Sequence, residues 1–298
     1  MDIIRQIYTS SGAGSMKRKY LILGVNGMAG HMIAKYLTEQ GRSVTGFARS
    51  VSPVCKTIVG DALCEKDIDK VLNSGTYDVV VNAIGILNTE VDRNEEIGQF
   101  INAKLPHLLK KKLEKTNTKL IHLSTDCVFS GSKGHYKETD LPDAVSLYGI
   151  TKAEGEIIDE KNLTIRTSIV GPEVKTSGIG LFHWFMSQKD TVYGYKSVIW
   201  SGVTTLQLAK AILMDEEMNV TGLVHLCNNK SICKYDLLQL FNKYCRDEKL
   251  EIKENTDIVN DKSIVSTRED IHFEIPDYET MVLEMSLWIK GHSDLYKQ

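Results

Sequence analysis

With 298 residues, 42% of them hydrophobic and 25% charged, the chain has the size and makeup of one large or two intimately joined globular domains. Its formal net charge of −3 gives no electrostatic reason to expect nucleic acid or an anionic membrane as partner, and no apolar run approaches the ~18 residues of a membrane span. The cysteines Cys55, Cys64, Cys127, Cys227, Cys233 and Cys245 form no Cys-x-x-Cys pair and have no histidine at zinc-ligand spacing. The expectation is a cytoplasmic protein without a metal site.

In chain order, residues 1–15 offer only Ile3, Ile4, Ile7 and Tyr8 before a small polar stretch, which reads as a leader ahead of Met16. From Tyr20 short apolar runs alternate with helical patterns. Tyr20-Leu21-Ile22-Leu23 predicts a strand, Met32, Ile33, Tyr36 and Leu37 a helix that stops at Gly41, and residues 44–48 a second strand. Ile58-Val59 leads to Asp61 and an amphipathic stretch through Ile68, Val71 and Leu72. Asp78-Val79-Val80-Val81 reads as a strand covered on both faces, residues 97–115 as a long helix, and residues 119–123 as another strand. This alternation predicts right-handed βαβ units, hence an α/β fold of Rossmann type: a doubly wound parallel sheet. Beyond about residue 170, Pro172 and Gly171, Gly178 and Gly180 break the rhythm, with helices expected over 206–214 and 235–244. The expected division is a dinucleotide-binding domain over 16–170 and, over 171–298, a smaller, irregular substrate-binding lobe with some segments returning to the first domain.

Gly24-Val25-Asn26-Gly27-Met28-Ala29-Gly30 lies between the first strand and the first helix. Glycines there permit a tight turn, close approach of the backbone to pyrophosphate and close helix–strand packing, while the helix N-terminus presents free N–H groups. The spacing is G-x-x-G-x-x-G. The second strand ends Phe47-Ala48-Arg49-Ser50 with no carboxylate for ribose hydroxyls, so Arg49 is the candidate ligand of a 2′-phosphate and NADPH is preferred over NADH.

Leu123-Ser124-Thr125-Asp126 closes a strand, which puts Ser124, Thr125 and Asp126 at the carboxyl edge where α/β ligands bind. Tyr148 and Lys152, four apart, share one helix face. Ketone reduction leaves an alkoxide that needs a proton donor. A lysine ammonium ~4 Å from the phenol is worth roughly 4 kcal/mol at an effective dielectric of 20, drawing the phenol down from ~10 while burial opposes it.

Together these residues resemble the extended short-chain dehydrogenase/reductases and, within them, the dTDP-4-dehydrorhamnose reductase group. The resemblance runs through residues 24–30, Val81-Asn82-Ala83-Ile84-Gly85, residues 124–131, residues 148–152 and Arg166-Thr167-Ser168-Ile169-Val170-Gly171. It is looser at Trp200-Ser201-Gly202-Val203-Thr204-Thr205 and residues 222–226, and it fades after about residue 230. It implies a catalytic set of Thr125, Tyr148 and Lys152. It also implies a dinucleotide lined by Gly24, Asn26, Gly27, Met28, Gly30, Arg49, Asp61, Ala62, Ala83 and Gly85, with Lys152 on the nicotinamide ribose. The group's usual aromatic after Ser-Thr-Asp is Cys127 here, and the Asp-Glu pair of the 4,6-dehydratases is missing after Thr125.

The implied substrate is a nucleotide-linked 4-keto-6-deoxy sugar, with a homodimer as the candidate assembly. Ser124, Asp126, Trp200 and Arg268 are candidate substrate contacts, Arg268 as a pyrophosphate clamp. His122 and His225 read as core histidines, and Phe182, Trp184, Phe185 and Trp200 as core aromatics before base-stacking ones. Two other readings remain open at this point: a sugar-nucleotide epimerase with tightly held NAD, and a non-catalytic dinucleotide-binding regulator.

Overall fold

The alternating runs pair edge to edge in the computed structural model, which describes residues 18–175, 178–247 and 249–296. β1 (Lys19–Leu23) leads through α1 (Met28–Glu39) to β2 (Ser43–Ala48) and β3 (Lys56–Val59), then through α2 (Glu65–Leu72) to β4 (Val79–Asn82). α3 (Asn88–Arg93), α4 (Glu95–Gly98), a π-turn over Gln99–Lys104 and α5 (Leu105–Leu113) cross to β5 (Lys119–Ser124). α6 (Leu147–Glu154) then precedes β6 (Leu163–Arg166). The apolar stretch expected as one helix over 97–115 thus starts earlier, at Glu95, and is interrupted by the π-turn. Asn102 in that turn is fully buried and clasps both the N–H and the carbonyl of Ile86 at 3.0 Å. That local clasp competes with regular helix geometry.

The later chain runs through β7 (Ile169–Val170), α7 (Leu181–Ser187), β8 (Val192–Tyr195), β9 (Val198–Trp200), β10 (Val203–Thr204) and α8 (Thr205–Met218) to β11 (Gly222–His225). β12 (Ile232–Cys233), α9 (Lys234–Cys245), β13 (Ile252–Asn255), β14 (Asn260–Asp261) and α10 (Tyr278–Gly291) complete it. The sheet order is β11-β6-β5-β4-β1-β2-β3, with every pairing parallel. β4 and β6 are buried at every position, as strands covered by helices on both faces must be.

β1 sends the chain outward to β2 and β3, and β4 returns on its other side. The crevice between β1 and β4 is therefore the topological switch point, where such sheets bind ligands. The segment after 170 does return: β11 extends the main sheet and α8 packs against α1. One apolar cluster runs from Ile22 and Ile33 under the sheet to Phe182, Phe185 and Phe241 in the later chain. Residues 1–17, with the leader and Met16 of the sequence reading, lie outside the described residues.

Candidate active site

At the switch point Gly24 has φ +81°, a region that L side chains rarely adopt, and its carbonyl lies where a Cβ on Gly30 would stand, 2.2 Å away. The backbone can close this loop only with glycine at both places. Gly27 caps α1 without a side-chain hydrogen bond, and no acid occupies the first turn, so the amides and the positive dipole end stay available to an anion. Asn26 ties the loop to the end of β2 by donating to the Ser50 carbonyl at 3.0 Å and the Ser50 hydroxyl at 3.1 Å.

These residues open onto a cavity of about 580 Å³ that Gly24, Asn26, Gly27, Arg49, Asp61, Ala62, Ala83 and Gly85 line together. That is the size range of a cofactor cleft, and the glycine cradle fits a dinucleotide pyrophosphate. Met28 begins α1, with its methyl group against Gly180. Sequence reasoning missed two cations on the same cavity, Arg93 from α3 and Lys175 after β7. Neither follows a glycine turn or closes a strand with a recognisable pattern.

Farther along the carboxyl edge, Thr125 leaves β5 and caps a short turn over Asp126–Val128. Its hydroxyl donates to Asp126 Oδ1 and accepts from the Cys127 N–H, both at 3.1 Å. Tyr148 stands at the start of α6, which Ser146 caps by accepting from the Gly149 N–H. A Cβ on Gly149 would come within 2.1 Å of the Cys127 carbonyl, so only a glycine lets the tyrosine helix lie this close to the threonine turn.

Burial pushes the Tyr148 phenol well above its ordinary value, Cys127 adds to this, and hydrogen bonding with Thr125 opposes it. The sequence argument had a nearby lysine drawing the phenol down. Lys152 instead donates to the Leu123 carbonyl at 2.7 Å, is almost wholly buried, and is itself pushed down to about 8 by that burial, against the pull of Glu156.

Other expectations are corrected in place. Ser124 does not present its hydroxyl to the cleft: it donates to Glu156 Oε1 at 2.7 Å, and Arg166 grips both oxygens of that carboxylate at 2.6 Å. Asp126 is buried and receives the Thr125 hydroxyl. The guanidinium of Arg268 is engaged by Asp270 and by the carbonyls of Thr221 and Leu223, which leaves no free fork for a pyrophosphate. Trp200 is buried against Tyr278.

His122 and His225 are core residues as expected, but each touches a charged group. His122 lies 3.5 Å from Lys152 Nζ, and His225 lies 3.3 Å from an Arg166 Nη1. Sequence reasoning also missed Lys234, the first residue of α9, whose charge acts on Asp126 and Cys127. A lone lysine far down the chain carries no local pattern.

The chain is 27% identical to dTDP-4-dehydrorhamnose reductase of Aggregatibacter actinomycetemcomitans over 259 residues, 81% of this chain and 83% of that one. It is 23% identical to methionine adenosyltransferase 2 subunit beta of Bos taurus over 243 residues, 74% of this chain and 70% of that one. Among solved structures, dTDP-4-dehydrorhamnose reductase from Bacillus anthracis in complex with NADP superposes with a TM-score of 0.78 at 17% identity, covering 92% of this chain and 100% of that one. The sequence profile of the RmlD substrate binding domain matches residues 18–263, from the first strand to the end of β14, and the chain belongs to that family.

Proposed function

We propose that this protein is an NAD(P)H-dependent reductase acting on the C4 ketone of a nucleotide-linked 4-keto-6-deoxy sugar. The observation that carries the reading is the convergence of Thr125, Tyr148 and Lys152 at the carboxyl edge of the sheet that also holds the glycine cradle. A nicotinamide held along that edge supplies the hydride. The residues present do the rest. Thr125 holds the ketone oxygen, Tyr148 donates the proton that turns the alkoxide into an alcohol, and Lys152 offers a buried ammonium for the ribose. The high proton affinity of Tyr148 suits a donor, because the phenol stays protonated at neutral pH until an alkoxide forms beside it.

Arg49 lines the cavity without a carboxylate beside it on the strand end, which favours NADPH. A cytoplasmic setting accords with the free cysteines. A pure dinucleotide-binding regulator, the reading that resemblance to a subunit could suggest, has no need of a buried phenol set near a threonine hydroxyl. An epimerase reading would require the nicotinamide to stay bound through purification.

The test is incubation with NADPH and a panel of dTDP- and UDP-linked 4-keto-6-deoxy sugars. Stoichiometric NADPH oxidation with formation of the C4 alcohol is the expected result, and binding of NADPH without turnover of any keto sugar would replace the reductase with the regulator. Arg49→Ala should erase most of the preference for NADPH over NADH in a fluorescence titration. An unchanged ratio would make Arg49 a surface residue.

A further inference from the structure

β12, β9 and β14 form a three-stranded sheet in the later chain, separate from the main one. Its register pairs Ile232 with Trp200 and Asn260 with Val198. Because side chains alternate along a strand, Ile232, Trp200, Val198 and Asn260 share one face. Asn260 shows where that face looks: its amide donates to the Ser130 carbonyl at 3.4 Å, and a Cβ on Gly131 would collide with it. Ser130 and Gly131 lie a few residues past the Thr125–Asp126–Cys127 turn, so the Asn260 end of this face meets the loop that leaves the catalytic strand end.

Two lysines follow these strands, Lys234 two residues after Ile232 at the start of α9 and Lys262 two residues after Asn260 just past β14. Lys234 Nζ lies 5.0 Å above the ring of Trp200. Both charges reach the turn, that of Lys234 acting on Asp126 and Cys127 and that of Lys262 on Cys127. Apart from the Trp200 ring, neither ammonium has a hydrogen-bond or ion-pair partner among the described residues. The indole N–H of Trp200, a residue only 3% exposed, is also without an acceptor. Lys234 further sits at the first position of a twelve-residue helix, where a positive charge opposes the dipole. Burial pushes its ammonium down to about 8 despite the pull of Asp126. A buried indole N–H without an acceptor is costly to the fold, and two half-buried ammonium groups without a counter-charge beside it suit an anion delivered by the substrate.

We propose that Lys234 and Lys262, with Trp200 as platform, form an anion clamp that determines substrate choice, taking charged oxygens that the substrate carries. For the 6-deoxy sugar proposed above, whose C6 is a methyl group, that anion is the diphosphate; a sugar carboxylate is the other source and would replace the 6-deoxy sugar. The assignment rests on the sugar-nucleotide reading above, and binding alone tests it, without turnover.

Protein saturated with NADP⁺ is titrated calorimetrically with uridine and thymidine, UDP and dTDP, and UDP-glucose and UDP-glucuronate. Wild type is compared with Lys234→Met, the Lys234→Met/Lys262→Met pair and Lys234→Arg. Removing a half-buried charge that has no ion-pair partner should not unfold the chain, and NADP⁺ affinity in each variant checks that. Lys234→Gln stands in if the methionine variant does not fold.

The expected result is a loss of about tenfold or more for the charged probes in the methionine variants, little change for the free nucleosides, and recovery in Lys234→Arg. A loss already complete with UDP and dTDP identifies the diphosphate as the anion. A loss confined to UDP-glucuronate identifies a sugar carboxylate. The clamp is overturned if the double variant binds every charged probe within about twofold of wild type. Wild type binding none of the charged probes would overturn both the clamp and the sugar-nucleotide reading. Binding that the variants leave unchanged would overturn the clamp alone.

Discussion

Tyr148 and Lys152 carry one expectation each at the scale of single residues. The phenol is held protonated by burial, with the Thr125 hydroxyl opposing, so Tyr148→Phe keeps the ring and its packing but removes the transferable proton. kcat should fall by about 10²–10⁴-fold while NADPH affinity stays near wild type. A variant retaining more than about a tenth of wild-type kcat would assign the proton to another group.

Lys152 sits in the opposite condition, an ammonium already pushed down to about 8. Its charge is present below that pH and lost above it. NADPH affinity should therefore weaken as the pH rises through about 8, and Lys152→Met should bind NADPH roughly tenfold or more weakly, with that slope removed. Persistence of the slope in the variant would take the dependence away from Lys152. Stability responds with the other sign. The folded lysine releases its proton at a lower pH than the unfolded one, so this residue's contribution to folding grows as the pH rises from about 8 toward the ordinary lysine range.

The α6 helix sets the distance between the Tyr148 phenol and the Thr125 turn, and three contacts fix it at the scale of elements. Ser146 caps it, Gly149 lets it touch the Cys127 carbonyl, and Asn102 from the π-turn reaches Thr151 Oγ1 at 3.3 Å. Gly149→Ala places a methyl group where 2.1 Å separates it from a backbone oxygen, so the helix and the threonine turn must part. Alanine is the better helix former, so helix content should hold or rise while kcat drops by about a hundredfold, since small misplacements of reacting groups cost that much. Circular dichroism beside steady-state kinetics separates the two effects. Wild-type kcat in a folded Gly149→Ala protein would show that the turn yields freely and that the close approach does not set the site.

The division of the chain looks different at the scale of the whole molecule. Lys119 on β5 and Asp215 on α8 form a buried pair at 2.7 Å, Glu216 on α8 binds Arg42 at 2.7 Å and receives the Tyr20 hydroxyl, and β11 covers the edge of β6. A fragment of residues 18–170 would leave Lys119 without its carboxylate, β6 as an open apolar edge and the α1 face uncovered. It should therefore show no cooperative thermal transition by circular dichroism, whereas the full chain should. A fragment that melts cooperatively would make the dinucleotide domain self-sufficient and the returning segments mere additions.

Local chemistry accounts for what the amino-acid sequence by itself determined. The alternation of Tyr20-Leu21-Ile22-Leu23, the Val79-Val80-Val81 run and the patterned helices between them specify a parallel sheet, because buried strands and amphipathic helices announce themselves over a few residues. The glycines at 24 and 30 specify a turn that only a bare backbone can make, and the Thr125, Tyr148 and Lys152 set is what the family resemblance implies on a strand end and a helix that the pattern predicts. Only the tertiary structure decided which groups are free to act. Ser124 and Arg268 carry suitable side chains, but Glu156 and the carbonyls of Thr221 and Leu223, reached through folding, engage them. Lys234 and Lys262 carry no motif, and they become neighbours of Cys127 because two short strands pair with β9. The protonation of Tyr148 and Lys152 was likewise beyond spacing arguments, since it depends on burial, which the packing of the whole chain sets.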